Sequence, residues 1–159
     1  MPDESLILLA KEVRGKTLRL LEGVDERQAR FAAPGLHNSI LWHAGHSFIV
    51  NEALGVAAIE RKPAPAYPQG WFETFSWKSD PRTVTQWPAL SEVVGGLQDQ
   101  LRRLVAGIEG LSEQRLGEVI DPNRGRTLRY SVLHGIHDEA GHQGEIWLLK
   151  KLYARQSGG

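Results

Sequence analysis

The chain has 159 residues, with 19 basic and 19 acidic side chains, six histidines and no cysteine. This length suits one domain with one sizeable core. The lack of cysteine excludes disulfide frameworks, thiolate zinc sites and cysteine nucleophiles, so any metal must be held by imidazole and carboxylate groups. The balanced charge argues against nucleic acid as a partner, and no apolar run is long enough for a membrane span. We therefore expect a cytoplasmic protein that binds neither nucleic acid nor a membrane.

The spacing of apolar residues in the first third of the chain predicts two long helices. The first follows Asp3, carries its apolar residues on one stripe and ends near Gly23. The second begins after Asn38-Ser39, both good N-caps, and continues to Ala57.

Two further helices are predicted in the second half of the chain. One starts near Pro88, because proline suits the first turn of a helix, and the last follows Thr127 and reaches about Tyr153. Strand-like alternation is not sustained anywhere, so the fold class expected is all-α, a four-helix bundle. We expect a single domain over residues 1–155 and a flexible tail over 156–159.

The connection between the second and third predicted helices, residues 61–87, is too long for a simple bundle turn. Disordered linkers avoid aromatic residues, so this segment is expected to pack. It suits a flap over an open end of the bundle, a dimer contact, or an extension of the core. Its prolines and aromatic residues are Pro63, Pro65, Tyr67, Pro68, Trp71, Phe72, Phe75, Trp77, Pro81 and Trp87.

A weak internal repeat accompanies the predicted helices. Residues 22–28 resemble residues 109–115, each segment reading as a glycine stop, a hydrophobic contact and a new N-cap. Each is followed by a helix with two histidines three residues apart, His43 and His46 in one and His134 and His137 in the other. Two interpretations are open: the chain consists of two helix-loop-helix halves, or the similarity reflects only two similar turns.

The histidines fall on particular helix faces. His43 and His46 point toward the apolar face of the second helix, while His134, Asp138 and His142 follow one another at four-residue spacing, in line with positions expected to be buried. The Asp138–His142 pair and one imidazole of the second helix would complete a facial set of two histidines and one carboxylate. The alternatives are a metal-free network in which Asp138 orients a histidine and a surface stripe without function.

Two segments together resemble the metal-site segments of the DinB-like (DinB/YfiT) superfamily. They are residues 38–46, NSILWHAGH, followed by Glu52, and residues 138–146, DEAGHQGEI. The superfamily includes YfiT-type metal-dependent hydrolases, thiol-dependent transferases and isomerases, and the helical domain of sulfoxide synthases. The resemblance implies a four-helix bundle of DinB/YfiT type with a long connection between helices two and three.

The resemblance also implies a ligand set. By position, His46 is the ligand of helix two and His142 a ligand of helix four, and Asp138 occupies a place where the family commonly has a third histidine. The mycothiol-dependent maleylpyruvate isomerase branch is similar in having a carboxylate there. The ion implied is divalent, zinc first, with nickel or iron as alternatives. Substitute ligands are His43, His134 and His137.

The function implied is that of a metal-dependent enzyme acting on a small molecule, either a thiol-dependent S-transferase or a hydrolase. Because the chain has no cysteine, the thiol must be a low-molecular-weight cosubstrate such as bacillithiol or mycothiol. Glu145 or His43 would serve as general base or orient a ligand. The rival hypotheses are a non-catalytic ligand-binding or stress-response bundle, and a structural homodimer with a vestigial metal site.

Glycines inside the predicted helices cost up to about 1 kcal/mol each relative to alanine and therefore need a reason. Close helix approach is one, and space for a substrate beside the metal, left by Gly95-Gly96, is another. Either predicts that Gly95→Leu is harmful. These glycines are Gly45, Gly95, Gly96, Gly135, Gly141 and Gly144.

Overall fold

The structure, a computed structural model, describes residues 1–158. In chain order its elements are α1 (Glu4–Leu21), α2 (Glu26–Ala29), α3 (Ile40–Asn51), a π-helical segment (Glu52–Ala57), α4 (Trp71–Phe75), a 3₁₀ turn (Pro81–Thr83), α5 (Leu90–Glu109), α6 (Glu113–Leu116), β1 (Val119–Asp121), β2 (Arg126–Thr127) and α7 (Leu128–Ser157). The long helices α1, α3, α5 and α7 pack side by side, each against two others. The predicted all-α four-helix bundle is confirmed.

The N-caps explain why the long helices begin where they do. The side chains of Asp3, Ser39 and Thr127 each accept a hydrogen bond from a backbone N–H in the first turn of α1, α3 and α7. Helix α7 continues to Ser157, which includes the first two residues of the predicted tail. Gly159, the last residue of that tail, lies outside the described residues.

The two repeated segments share one structural feature. In each, an N-cap side chain, Asp25 or Ser112, starts a four-residue helix, α2 or α6. The glycines differ, because Gly23 has a left-handed φ of 72° whereas Gly110 has a right-handed helical φ of −83°. The similarity in structure is therefore the cap and the short helix after it.

Three local features were absent from the prediction. The second predicted helix becomes π-helical over Glu52–Ala57, and α2, α4, α6 and the 3₁₀ turn interrupt the connections. A small antiparallel hairpin, in which Val119 pairs with Thr127, precedes α7. Elements this short carry too few residues for a periodic pattern to be detected.

The long connection between α3 and α5 packs as an extension of the core. Its helix α4 buries Trp71 and Phe75 among side chains of α3 and α5, whereas Trp77 stays 60% exposed. Gly45 allows this approach, because a Cβ atom there would lie 2.4 Å from the Phe75 ring. The connection thereby brings the Phe75 backbone against α3.

The interior also contains charged and amide groups. Arg14 of α1 is 2% exposed and pairs with Glu139 of α7, which is also 2% exposed. Asn51 and Gln100 complete this layer with hydrogen bonds to Glu139 and Arg14. Among residues 1–158, no helix is long and apolar enough to cross a membrane.

Candidate metal centre

The facing sides of α3 and α7 bring together the three residues predicted to be metal ligands. His46 comes from α3, and Asp138 and His142 come from successive turns of α7. One potential ligand atom from each residue lies within 4.8 Å of those of the other two. The packing of α3 against α7 thus places two imidazoles and one carboxylate around a common point.

The orientation of His46 is fixed on two sides. Its Nδ1 lies 2.7 Å from the carbonyl oxygen of Phe75. Because a carbonyl only accepts, Nδ1 carries the proton, and the lone pair of neutral His46 is on Nε2. The ring also stacks on Trp42, with centroids 4.5 Å apart and planes at 13°. Trp42 is in turn held by a 2.9 Å hydrogen bond from its Nε1 to Ser79 Oγ.

The carboxylate of Asp138 faces both imidazoles. Its Oδ2 lies 3.3 Å from His142 Nε2 and 3.9 Å from His46 Nε2. This oxygen is buried yet receives no hydrogen bond. Two ligands of one tetrahedral zinc ion, each about 2.0–2.2 Å from the metal, lie about 3.4 Å apart with their lone pairs directed at the ion rather than at each other. The 3.3 Å spacing between Asp138 and His142, and the missing hydrogen bond, fit a shared cation.

The protonation states of this group suit metal binding. Burial lowers the pKa of His46, although its hydrogen bond to the Phe75 carbonyl partly opposes this. Burial raises the pKa of Asp138, but the interaction with His142 and the nearby His46 and His134 outweighs it, so the pKa lies below its usual value. A neutral imidazole and an ionised carboxylate are the forms that metals require.

His43 lies beside this group rather than in it. It is buried, and its Nδ1 is 2.8 Å from His142 Nδ1. Burial, with the neighbouring His142 and His46, lowers the pKa of His43 to about 3. His43 and His142 line a cavity of about 340 Å³ whose other walls include Glu145 and His37. The cavity provides space for a small molecule next to the candidate centre.

The remaining histidines lie elsewhere. His134 is exposed and stacks on Tyr130 at 5.6 Å, and His137 is also exposed on α7. His37 lies in the loop before α3, as predicted. Neither His134 nor His137 belongs to the convergent group that the described residues form.

The prediction that the line of ionisable residues on α7 is buried was wrong. His134 and Glu145 are exposed, and Asp138 and His142 are half-buried. The face of α7 that fills the core is rotated toward Glu139, because that residue pairs with Arg14. Its buried members include Val132, Ile136, Glu139, Gln143, Ile146 and Leu149.

Of the two interpretations of Gly95-Gly96, close approach fits Gly96, and the structure gives no support to space for a substrate beside the metal. Gly95 is exposed on α5 with open space around its Cβ position, and Gly96 contacts Trp71. Close approach explains Gly45 and Gly135, where a Cβ would lie 2.4 Å from Phe75 and 2.9 Å from Asn51 Oδ1. Because nothing surrounds Gly95, the structure removes the reason for expecting harm from a larger side chain there.

Glu52, the carboxylate that follows the first segment, has a structural partner. It is 3% exposed and receives two hydrogen bonds from Arg103, at 2.8 and 3.0 Å, and one from Gln100 at 2.8 Å. Both its oxygens are therefore occupied. No local sequence pattern predicts this pairing, since Glu52 and Arg103 are 51 residues apart.

The family assignment rests on most of the chain. Residues 9–146 match the model of the DinB superfamily. The chain belongs to the DinB superfamily. This DinB-superfamily protein is similar in fold to a crystal structure of a conserved protein from Enterococcus faecalis, with a TM-score of 0.78 and 18% identity over 96% of this chain and 97% of that one. No curated protein matches it significantly in sequence.

Proposed function

We propose that this DinB-superfamily protein is a divalent-metal-dependent enzyme whose ion is held by His46, Asp138 and His142. The observation that supports this most directly is the buried Asp138 Oδ2, which faces two imidazole Nε2 atoms and receives no hydrogen bond. A buried carboxylate oxygen without a partner is costly, and a cation at this point would remove the cost.

Three protein ligands suit a catalytic site better than a structural one. Structural zinc sites are closed by four protein ligands, whereas catalytic sites leave a position for water or substrate. The Asp138 side chain is 33% exposed, so the group is reachable from solvent. A bound ion supplies Lewis acidity, which favours the deprotonated form of a thiol or a water.

We propose transfer of a low-molecular-weight thiol to a small electrophile as the reaction, with hydrolysis as its rival. The cavity beside His43 and His142 has room for a small molecule. The chain contributes no thiol of its own, because it lacks cysteine. Glu145 lines the cavity and is available to take up a proton from the incoming nucleophile.

Elemental analysis of protein purified without an affinity tag tests the metal. We expect about one equivalent of a divalent ion, zinc first, and its loss in His46→Ala and His142→Ala. Protein that contains no transition metal and takes none up on titration would overturn the proposal. His137→Leu is the matched control, because that exposed histidine lies on the same helix outside the group.

Turnover assays on the metal-loaded protein separate the candidate reactions. Consumption of an electrophile only in the presence of a thiol indicates a transferase, and consumption with water alone indicates a hydrolase. Binding of thiol or electrophile without turnover would favour the non-catalytic ligand-binding bundle. A metal-free protein that forms dimers and binds neither would favour the structural homodimer.

A further inference from the structure

The contact between His43 and His142 constrains where their protons are. Their Nδ1 atoms lie 2.8 Å apart, which is hydrogen-bond distance. Two nitrogens this close require one proton between them, so one ring donates from Nδ1 and the other accepts there. The assignment decides whether His142 Nε2, the nitrogen near Asp138, carries a proton or a free lone pair.

The surroundings of His142 select the donor. If His43 donated, neutral His142 would carry its proton on Nε2, toward Asp138 Oδ2 at 3.3 Å. A proton on Nε2 at that distance should be donated to the oxygen, yet Asp138 Oδ2 receives no hydrogen bond. If His142 donates instead, its Nε2 lone pair faces the same point as the lone pairs of His46 Nε2 and Asp138 Oδ2.

We infer that His43 is a positioning residue: it accepts the Nδ1 proton of His142 and thereby fixes the tautomer and the ring orientation in which His142 Nε2 binds the metal. Phe75 does the same for His46 through its backbone carbonyl, at 2.7 Å. In each of the two imidazoles, Nδ1 thus donates to an acceptor while Nε2 is left free to bind the metal. Outer partners of this kind typically contribute 10–100-fold to metal affinity.

The role is distinct from that of a ligand. His43 is not in the group of potential ligand atoms, and its Nδ1 is directed at His142. The ring is held there by packing, because His43 is 5% exposed and its ring lies edge-on to Trp42, with centroids 5.4 Å apart. This inference rests on the proposed metal site, but the hydrogen bond itself can be observed with or without metal.

Nitrogen-15 NMR of the labelled protein, metal-free and zinc-loaded, tests the proton assignment. We expect a scalar coupling across the N–H···N bond between His43 and His142, with the proton attached to His142 Nδ1. A proton attached to His43 Nδ1, or to His142 Nε2, overturns the inference. Failure of the wild-type protein to take up zinc overturns the proposed function instead, since the metal-free spectrum still reports the hydrogen bond.

Metal affinity in variants tests the consequence. His43→Leu removes the acceptor and is expected to weaken zinc binding about 10–100-fold in competition with a chelator. His43→Asn offers a carbonyl oxygen near the former Nδ1 and is expected to restore most of the affinity. Equal affinity in wild type and His43→Leu, with an unchanged cobalt absorption spectrum, would overturn the inference. The wild-type NMR measurement decides the matter if His43→Leu does not fold.

Discussion

Arg14 and Glu139 form an ion pair in the centre of the bundle, although they are 125 residues apart in the chain. Arg14 Nε and Nη2 donate to the two carboxylate oxygens at 2.8 and 2.9 Å. Two further N–H groups of the guanidinium donate to the Leu97 carbonyl and to Gln100 Oε1. The pair therefore joins α1, α5 and α7 through one side chain.

Replacing one member of this pair is expected to be strongly destabilising. Arg14→Met leaves Glu139 buried without its cation, and breaking a buried pair in this way costs about 3–5 kcal/mol. Denaturant unfolding at neutral pH measures the change. Lys11→Met is the control, since Lys11 is exposed on the same helix and its replacement is expected to change stability by no more than about 0.5 kcal/mol.

The double variant Arg14→Met/Glu139→Leu tests whether the cost comes from an uncompensated charge. An apolar pair leaves no buried charge, so the double variant is expected to be more stable than either single variant. Additive losses, within about 0.5 kcal/mol, would show that the two residues act independently.

The contrast between two helical glycines gives a second prediction. Gly45→Ala places a Cβ 2.4 Å from the Phe75 ring. The ring must move, so we expect a loss of about 1–3 kcal/mol in stability and weaker metal binding, because the Phe75 carbonyl holds His46. Gly95→Ala, in open space on α5, is expected to gain up to about 1 kcal/mol. Thermal or denaturant unfolding of the pair is the measurement, and equal effects would contradict it.

The long helices could be predicted because each carries its own signal. Asp3, Ser39 and Thr127 mark the starts of α1, α3 and α7 as caps, and a stripe of apolar residues follows each. The convergence of His46 with Asp138 and His142 was also predictable, since two local motifs identify the helices concerned. Helix caps and apolar stripes involve residues close together in the chain, so they can be recognised in a single sequence.

The rest of the site depends on contacts that no local pattern records. The Phe75 carbonyl reaches His46 from 29 residues away, and any residue type could supply a carbonyl. The rotation of α7 depends on Glu139 meeting Arg14, a pairing of two charged residues that the polarity pattern assigns to the surface. Buried charges are rare unless paired, and the partner is visible only in the fold.

The low pKa of His43 predicts a pH dependence for the metal-free protein. Above about pH 6.5 the residue is neutral in both the folded and the unfolded chain, so it has no effect. Below that, the unfolded chain binds a proton while the folded chain does not until about pH 3. The free energy of unfolding should therefore fall as the pH drops, by up to about 1.4 kcal/mol per pH unit from this group.

Denaturant unfolding between about pH 7 and pH 5, with a chelator present, measures this slope before most carboxylates titrate. The lowered pKa of His46 acts in the same direction. His43→Asn removes one of the two groups and is expected to reduce the slope. The same slope in both proteins would show that His43 does not stay neutral in the folded chain.

The carboxylate at position 138 provides the last prediction. Asp138→Asn keeps the shape of the side chain but removes its charge. Loss of a residue that only orients a ligand costs up to about 100-fold in metal affinity, so loss of the charged ligand itself should lower zinc affinity by at least that much. Asp138→His supplies a neutral imidazole, the ligand that the DinB-like family commonly has there, and is expected to retain binding. Asp99→Asn, on the exposed face of α5, is the control. Titration with zinc and with cobalt measures all three, and tight binding by Asp138→Asn would show that the carboxylate is not a ligand.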